Sequence, residues 1–226
     1  MAQAASAEIV TASQVQIRSG TVMLEGELSI PVNAQGVVLF AHGSGSSRHS
    51  SRNQFVARTI RQAGVGTLLF DLLTREEEAI DIHTRHLRFD IGLLAKRLID
   101  ATYWLKGQFD HLRIGYFGAS TGGGAALVAA AEIDGVIDAV VSRGGRPDLA
   151  RDALPKVKAA TLLIVGGLDY PVIELNEAAY VQLQCEKKLK IVPGATHLFE
   201  EKGALEQVGQ LAADWFQTHF AKYKIS

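Results

Sequence analysis

Short, continuous apolar runs recur along the chain and alternate with segments of helical periodicity. The run Gly36–Ala41 is apolar throughout, which is typical of a strand buried on both faces of a parallel sheet. Helices must then cover both faces. Further buried strands are predicted at Gly66–Asp71, Leu112–Phe117, Val136–Val141, Ala160–Val165 and Leu189–Val192. Helices are predicted at Arg52–Ala63, Ile91–Leu105, Thr121–Ile133, Asp148–Ala153 and Ile173–Leu183, with a last helix from Ala204.

The segment Val15–Ile30 has a different pattern, because apolar and polar residues alternate on either side of Ser19-Gly20. Such alternation around a turn predicts an antiparallel hairpin. With the two strands of the hairpin, eight strands are predicted, so the sequence predicts an α/β fold with an eight-stranded, mostly parallel sheet and helices on both faces. Residues 1–226 are expected to form a single domain, with residues 1–12 as an N-terminal tail.

One connection is long and charged. It runs from Leu72 to Arg88 and contains Glu76-Glu77-Glu78. A long connection of this composition is expected to be a solvated excursion or a partial lid.

The balance of basic and acidic residues indicates which kind of binding partner to expect. Lys plus Arg number 23 against 24 for Asp plus Glu, so no net field favours nucleic acid or an anionic membrane, and a small-molecule partner is expected. The single Cys185 excludes an internal disulfide. The N-terminal residues lack the pattern of a signal peptide and no apolar run is long enough to span a membrane, so a cytoplasmic location is expected. The sequence leaves open whether the chain forms a homo-oligomer.

A glycine-flanked serine follows the predicted strand Leu112–Phe117. The segment Gly118-Ala119-Ser120-Thr121-Gly122 is a G-x-S-x-G motif between a strand and a helix. The glycines leave room for strand and helix to approach each other, while the serine is exposed at the turn. We therefore predict Ser120 as a nucleophile. The alternative is a glycine-rich helix start that only packs closely.

A serine nucleophile requires a histidine base at the same end of the sheet. His197 follows the last predicted strand, at the carboxyl end where ligands gather in open α/β sheets. His219 lies in the last helix and His111 at the opposite end of the sheet, whereas His83 and His86 belong to the charged excursion and make a poor metal site. His197 is the predicted base.

An acid is then needed to orient the imidazole. Asp169 comes after the strand Ala160–Val165, again at its carboxyl end, and the order Ser120, Asp169, His197 is the order found in sheets of this type. The alternative for Asp169 is a helix N-cap ahead of Pro171.

Backbone N–H groups are expected to hold the oxyanion. The first candidate is the amide of Thr121, and the second is that of Ser44 in the loop His42-Gly43-Ser44-Gly45. We expect His42 to support this loop or to line the substrate site. The same loop is a weak match to a dinucleotide fingerprint, because Arg48 replaces its third glycine, and there is no Walker A loop and no H-E-x-x-H motif. No cofactor and no metal are therefore expected.

The serine turn, the acid and the histidine each follow the expected strand. In this arrangement the chain from about Val15 to Tyr223 resembles the α/β-hydrolase superfamily, and in its small size it resembles the dienelactone hydrolase-like family. The resemblance implies eight strands, with the acid after strand seven and the histidine after strand eight. Larger relatives carry a cap domain after strand six. Only Ser142–Ala159 separates that strand from the next here, so no large cap and a shallow pocket are expected.

The resemblance has one departure, because dienelactone hydrolases use cysteine where this chain has Ser120. Serine suits a carboxylesterase that cleaves a small ester through an acyl-enzyme. A thioesterase or a lactone or dienelactone hydrolase using the same residues remains the alternative, and a non-catalytic binding module is a third. Arg143 and Arg146 follow strand six, and either one of them binds an acidic group of the substrate or both form structural salt bridges.

Overall fold

The computed structural model describes residues 9–221, with the backbone alone for residues 9–12. The strands are β1 (Ile9–Ser19), β2 (Val22–Pro31), β3 (Gly36–Ala41), β4 (Gly66–Phe70), β5 (Arg113–Ala119), β6 (Ala139–Arg143), β7 (Ala160–Gly166) and β8 (Lys187–Val192). The α-helices are α1 (Ser51–Gln62), α2 (Arg75–Thr84), α3 (Ile91–Lys106), α4 (Thr121–Glu132), α5 (Tyr170–Gln182) and α6 (Ala204–Ala221). Two 3-10 segments cover Leu87–Phe89 and Pro147–Lys156.

All the strands belong to one sheet in the order β1-β2-β4-β3-β5-β6-β7-β8. The pairs β1·β2 and β2·β4 are antiparallel, and every other pair is parallel. The prediction of an eight-stranded, mostly parallel sheet with an edge hairpin is therefore confirmed. This topology places the carboxyl ends of β3 and β5–β8 along one edge, where the predicted site residues follow them.

Both faces of the sheet are buried, and β3 shows why its sequence is apolar throughout. Val37 and Leu39 pack into the core that faces α3, α4 and α5, whereas Val38 and Phe40 pack into the core that faces α1 and α6. Successive side chains of a strand point to opposite faces, so in a strand covered on both sides no side chain faces solvent.

The charged excursion is more ordered than the sequence predicted. Most of it is α2, which begins with a capping box: the Thr74 hydroxyl accepts from the Glu77 amide, and the Glu77 carboxylate accepts from the Thr74 amide. Buried Asp81 then accepts the amides of Leu87 and Arg88 and the Arg88 side chain. A T-x-x-E signature marks a helix start, and it was hidden here by the acidic run.

The helix predicted at Asp148–Ala153 is the 3-10 segment Pro147–Lys156, and the remaining differences concern element ends. β1 begins at Ile9, so residues 9–12 belong to the hairpin and not to a tail, and residues 1–8 of the predicted tail lie outside the described residues. β6 begins later than predicted and β8 earlier. Within residues 9–221, no helix is long and apolar enough to cross a membrane.

Helix α4 packs against the end of β3 with no room for a side chain at Gly122. A Cβ added at Gly122 would overlap the Ala41 carbonyl oxygen. We expect Gly122→Ala to lower the free energy of unfolding by about 3 kcal/mol or more, because backbone atoms cannot move aside as a side chain can.

Gly107→Ala is the matched control. Gly107 has helical backbone angles, and an added Cβ would meet nothing closer than 3.5 Å. Urea denaturation of both variants measures the difference, and equal midpoints would contradict the packing argument.

Candidate active site

Ser120 occupies a strained turn between β5 and α4. Its φ is 51°, a value that is uncommon for a residue with a Cβ. Three backbone hydrogen bonds hold the turn: the Ser120 amide donates to the Arg143 carbonyl oxygen (3.2 Å), and the Ser120 carbonyl oxygen accepts from the amides of Arg146 (3.0 Å) and Gly123 (3.0 Å). Strain of this kind persists only where the surroundings enforce it, so the turn is built to present the partly exposed Ser120 side chain.

Asp169 and His197 meet at the carboxyl ends of β7 and β8. His197 Nδ1 lies 2.6 Å from Asp169 Oδ2, and the Asp169 side chain is the more buried of the two, at 13% against 39% exposure. Asp169 stands at the N-cap position of α5, yet its side chain makes no capping hydrogen bond. A carboxylate can only accept, so the imidazole carries its proton on Nδ1 and leaves Nε2 as an acceptor.

Ser120 and His197 line one cavity of about 220 Å³. Its lining also includes Gly43, Ser44, Ser46, Ser50, Arg52, Ala119, Arg143 and Leu198. Asp169 stands behind His197, so the three predicted catalytic residues come together at one edge of the sheet. Among the described residues no hydrogen bond joins Ser120 Oγ to the imidazole, and such bonds often tighten only when substrate binds.

The two predicted oxyanion donors, the amides of Thr121 and Ser44, differ in whether they already have a hydrogen-bond partner. Thr121 is the first residue of α4, where an amide has no partner within the helix. The Ser44 amide instead donates to Thr121 Oγ1 at 3.0 Å, and the Ser44 hydroxyl lies 3.0 Å from the same oxygen. The predicted Ser44 donor is therefore already hydrogen-bonded to the Thr121 side chain. The glycine pattern of the sequence does not reveal this interaction.

His42 supports the loop and does not line the cavity of Ser120 and His197. Its Nε2 accepts the Leu72 amide (3.0 Å) and its Nδ1 donates to the Gly43 carbonyl oxygen (3.0 Å). Burial lowers the pKa of His42, since a charged imidazole is penalised away from water. Both ring nitrogens of His42 are hydrogen-bonded to the backbone. His42 therefore has the structural role of supporting the loop and not the expected role in substrate binding.

The two arginines after β6 also differ. Arg146 forms a two-pronged ion pair with Asp148, at 2.8 and 2.7 Å, and this partner raises the pKa of Arg146. Arg143 is buried, lines the cavity, and has no carboxylate partner among the described residues. Nor does the described part of the chain contain a cluster of three or more His, Cys, Asp or Glu side chains fit to hold a metal.

Comparison with known proteins agrees with this geometry. The family model described as "Dienelactone hydrolase family" matches residues 24–220. The chain belongs to this family. A dienelactone hydrolase from Anabaena variabilis is 63% identical, with a TM-score of 0.91 over 92% of this chain and 98% of the other. Members of the family are hydrolytic enzymes, and the α/β-hydrolase fold expected from the sequence is confirmed.

Two further relatives extend the comparison. Est1E from Butyrivibrio proteoclasticus shares the fold at 19% identity, with a TM-score of 0.77 over 92% of this chain and 99% of Est1E. A Mycobacterium tuberculosis protein named "Putative phosphoribosyl transferase" is 58% identical over 208 residues, which are 91% of this chain and 46% of that protein. The chain thus spans about half the length of this curated relative.

The buried neutral His42 predicts a pH dependence of stability. Its pKa is lowered below 6.5 in the folded state, so the unfolded state takes up a proton first and stability falls as pH drops through 6.5. We expect His42→Gln, which keeps an acceptor for the Leu72 amide, to flatten the decline of the unfolding free energy between about pH 6.5 and pH 5.

His49→Gln, at an exposed histidine of the same loop, is the control. Urea melts at several pH values measure both variants. If the slope with pH is the same in His42→Gln as in wild type, the buried imidazole is not its source.

Proposed function

We propose that this chain is a serine-dependent hydrolase that cleaves a small ester through an acyl-enzyme intermediate. The observation that carries the proposal is the 2.6 Å contact between Asp169 and His197, beside a cavity shared by His197 and the strained Ser120. A nucleophile, a base and an orienting acid in this relation form the arrangement that activates serine on several unrelated folds.

The reaction follows from the roles of the three side chains. Ser120 Oγ attacks the ester carbonyl carbon while His197 Nε2 takes the hydroxyl proton, and Asp169 stabilises the imidazolium that forms. Collapse of the tetrahedral intermediate breaks the bond to the leaving alcohol, which takes the proton from His197. Water then attacks the acyl carbon while His197 takes its proton. Collapse of this second intermediate breaks the bond to Ser120 Oγ, which takes the proton back from His197 as the acid leaves.

The oxyanion has two amide donors within this proposal. Thr121 offers its amide at the positive end of α4, where the helix dipole favours negative charge. The Ser44 amide joins it once the bond to Thr121 Oγ1 yields to the stronger acceptor, because hydrogen bonds to charged groups are stronger than those between neutral groups. In this proposal, stabilisation of the transition state therefore requires the Ser44 amide to leave Thr121 Oγ1 and bind the oxyanion.

The same residues would also open a thioester, a lactone or a dienelactone, since Ser120 attacks the carbonyl carbon that all of these substrates share. The cavity of about 220 Å³ favours a small substrate, because pockets for drug-sized ligands have about 300–1,000 Å³. A binding module without catalysis would have no need for the strain at Ser120. We infer that the transferase activity named for the mycobacterial relative belongs to the part of that protein which this chain does not match.

Substitutions in the triad test the mechanism. We expect Ser120→Ala to lower kcat for p-nitrophenyl esters by about 10⁶-fold and to abolish labelling by an organophosphonate, located by mass spectrometry. Asp169→Asn should lower kcat by about 10⁴-fold, because the amide favours the wrong tautomer of His197.

Asp152→Asn changes an exposed carboxylate outside the cavity and is the control for Asp169→Asn. A wild-type protein that neither turns over esters nor takes the label would refute the proposed function. So would a Ser120→Ala variant that keeps its activity.

A further inference from the structure

A second cavity, of about 360 Å³, lies beside the cavity that Ser120 and His197 share. It is lined by residues from two segments, 51–55 at the start of α1 and 199–206 between β8 and the first turn of α6. We call it the α1–α6 groove. No member of the triad lines it, so the catalytic roles of Ser120, Asp169 and His197 leave this groove without a function.

The groove and the catalytic cavity meet at the side chain of Arg52, which lines both of them. The Arg52 guanidinium pairs with the carboxylate of Glu200 at 3.1 Å, and the two side chains are 33% and 64% exposed. Ion pairs between side chains this exposed are weak, and the long stem of an arginine offers an apolar surface. A molecule bound at Ser120 can therefore continue past Arg52 into the groove at little cost.

The apolar surface of the groove comes from Phe55 and Leu205. Both side chains pack against the core that faces α1 and α6, and both remain partly exposed. Partly exposed aromatic and aliphatic side chains inside a cavity are the usual contact surface for the apolar part of a small ligand. The groove is therefore suited to an apolar group of the substrate.

The charges around the groove disfavour an anion. Glutamates outnumber cations among its charged lining residues, which are Arg52, Lys202, Glu200, Glu201 and Glu206. Hydrogen bonds from the hydroxyl and the amide of Thr196 lower the pKa of Glu201, so this carboxylate is charged at neutral pH. Because a lining with an excess of negative charge repels anions, the group that fits the groove is uncharged.

The position of His197 decides which half of an ester points toward the groove. The segment 199–206 of the groove wall begins two residues after His197. His197 gives its proton to the oxygen of the leaving alcohol, so this oxygen lies against the imidazole in the transition state. The oxyanion instead faces the amides of Thr121 and Ser44. The alcohol therefore leaves on the side of the α1–α6 groove.

We propose that the α1–α6 groove is the leaving-group subsite, and that the substrate is an ester of a small acid with an uncharged alcohol that carries an aryl or branched alkyl group. This inference rests on the proposed function and deepens it. The acyl part occupies the cavity of Ser120 and His197, and the apolar part of the alcohol contacts Phe55 and Leu205. The combined volume of the two cavities lies within the range of pockets that hold drug-sized ligands, about 300–1,000 Å³.

Two isomeric esters test which half of the substrate the groove binds. Benzyl acetate and methyl phenylacetate carry the same phenyl group on opposite sides of the ester, and methyl acetate lacks it. We expect wild type to show a kcat/KM for benzyl acetate about tenfold or more above that for methyl acetate, because burial of a phenyl group contributes that much. Leu205→Trp, which fills the groove, should bring this ratio to about one and leave the ratio of methyl phenylacetate to methyl acetate unchanged.

Leu211→Trp is the matched control, because Leu211 is a partly buried leucine of the same helix outside the groove. It should keep the wild-type ratio. Phe55→Ala removes an apolar contact without filling the groove and should also lower the ratio for benzyl acetate. A ratio measured on one enzyme cancels any general loss of activity, and circular dichroism confirms folding. If both groove variants keep the wild-type ratio, or if the ratio for methyl phenylacetate falls instead, the leaving-group subsite is overturned.

Binding to an inactive protein separates the subsite from the chemistry. N-Benzylacetamide is the amide counterpart of benzyl acetate, and N-methylacetamide lacks the phenyl group. In NMR titrations of Ser120→Ala, we expect N-benzylacetamide to bind at least about tenfold more tightly than N-methylacetamide, and added Leu205→Trp to remove the difference. If the difference is found but wild type hydrolyses no ester, the proposed function fails and the subsite stands. If neither amide binds, if both bind equally, or if Leu205→Trp leaves the difference unchanged, the subsite is refuted.

Discussion

The close approach of α4 to the ends of β3 and β5 is the constraint on which the site depends. At Gly118 an added Cβ would lie 2.5 Å from the Gly122 carbonyl oxygen, and the space beside Gly122 is filled by the Ala41 carbonyl. With strand and helix this close, the chain between them has no relaxed path, and Ser120 takes a positive φ. The backbone strain at Ser120 therefore results from the packing of α4 against the strands, and Gly118 and Gly122 permit this packing.

The parallel register of β7 and β8 determines the positions of Asp169 and His197. Gly166 of β7 pairs with Val192 of β8, so the two strands end side by side and the loops that follow them start from neighbouring points. Asp169 and His197, 28 residues apart in sequence, need only short loops to meet. A shift of β8 along β7 would move His197 away from both Asp169 and the cavity. The geometry of the candidate site therefore depends directly on the register of these two strands.

The sequence predicts what depends on local pattern and misses what depends on individual side-chain partners. Apolar runs located the parallel strands, and the G-x-S-x-G motif located the turn, because both are set by burial and close approach. The helix α2 was missed because the Thr74 to Glu77 capping box lies within an acidic run. The bond from the Ser44 amide to Thr121 Oγ1 was missed because a hydroxyl at the second variable position of the motif has no required partner. Nor does the sequence separate Arg143 from Arg146, since only the folded chain shows which of them reaches Asp148.

That last distinction bears on why a stable fold keeps an unpaired buried cation. Arg48 and Arg97 show that this chain neutralises buried guanidinium groups with carboxylates when they serve the fold. Arg143, which lines the same cavity as Ser120 and His197, pairs with no carboxylate of the described residues. Phe199 holds the guanidinium and leaves its charge uncompensated. Because an aromatic ring carries no net charge, burial of this guanidinium costs the folded protein more free energy than burial of the paired Arg48 or Arg97, and the packing around the end of β6 has to offset that cost.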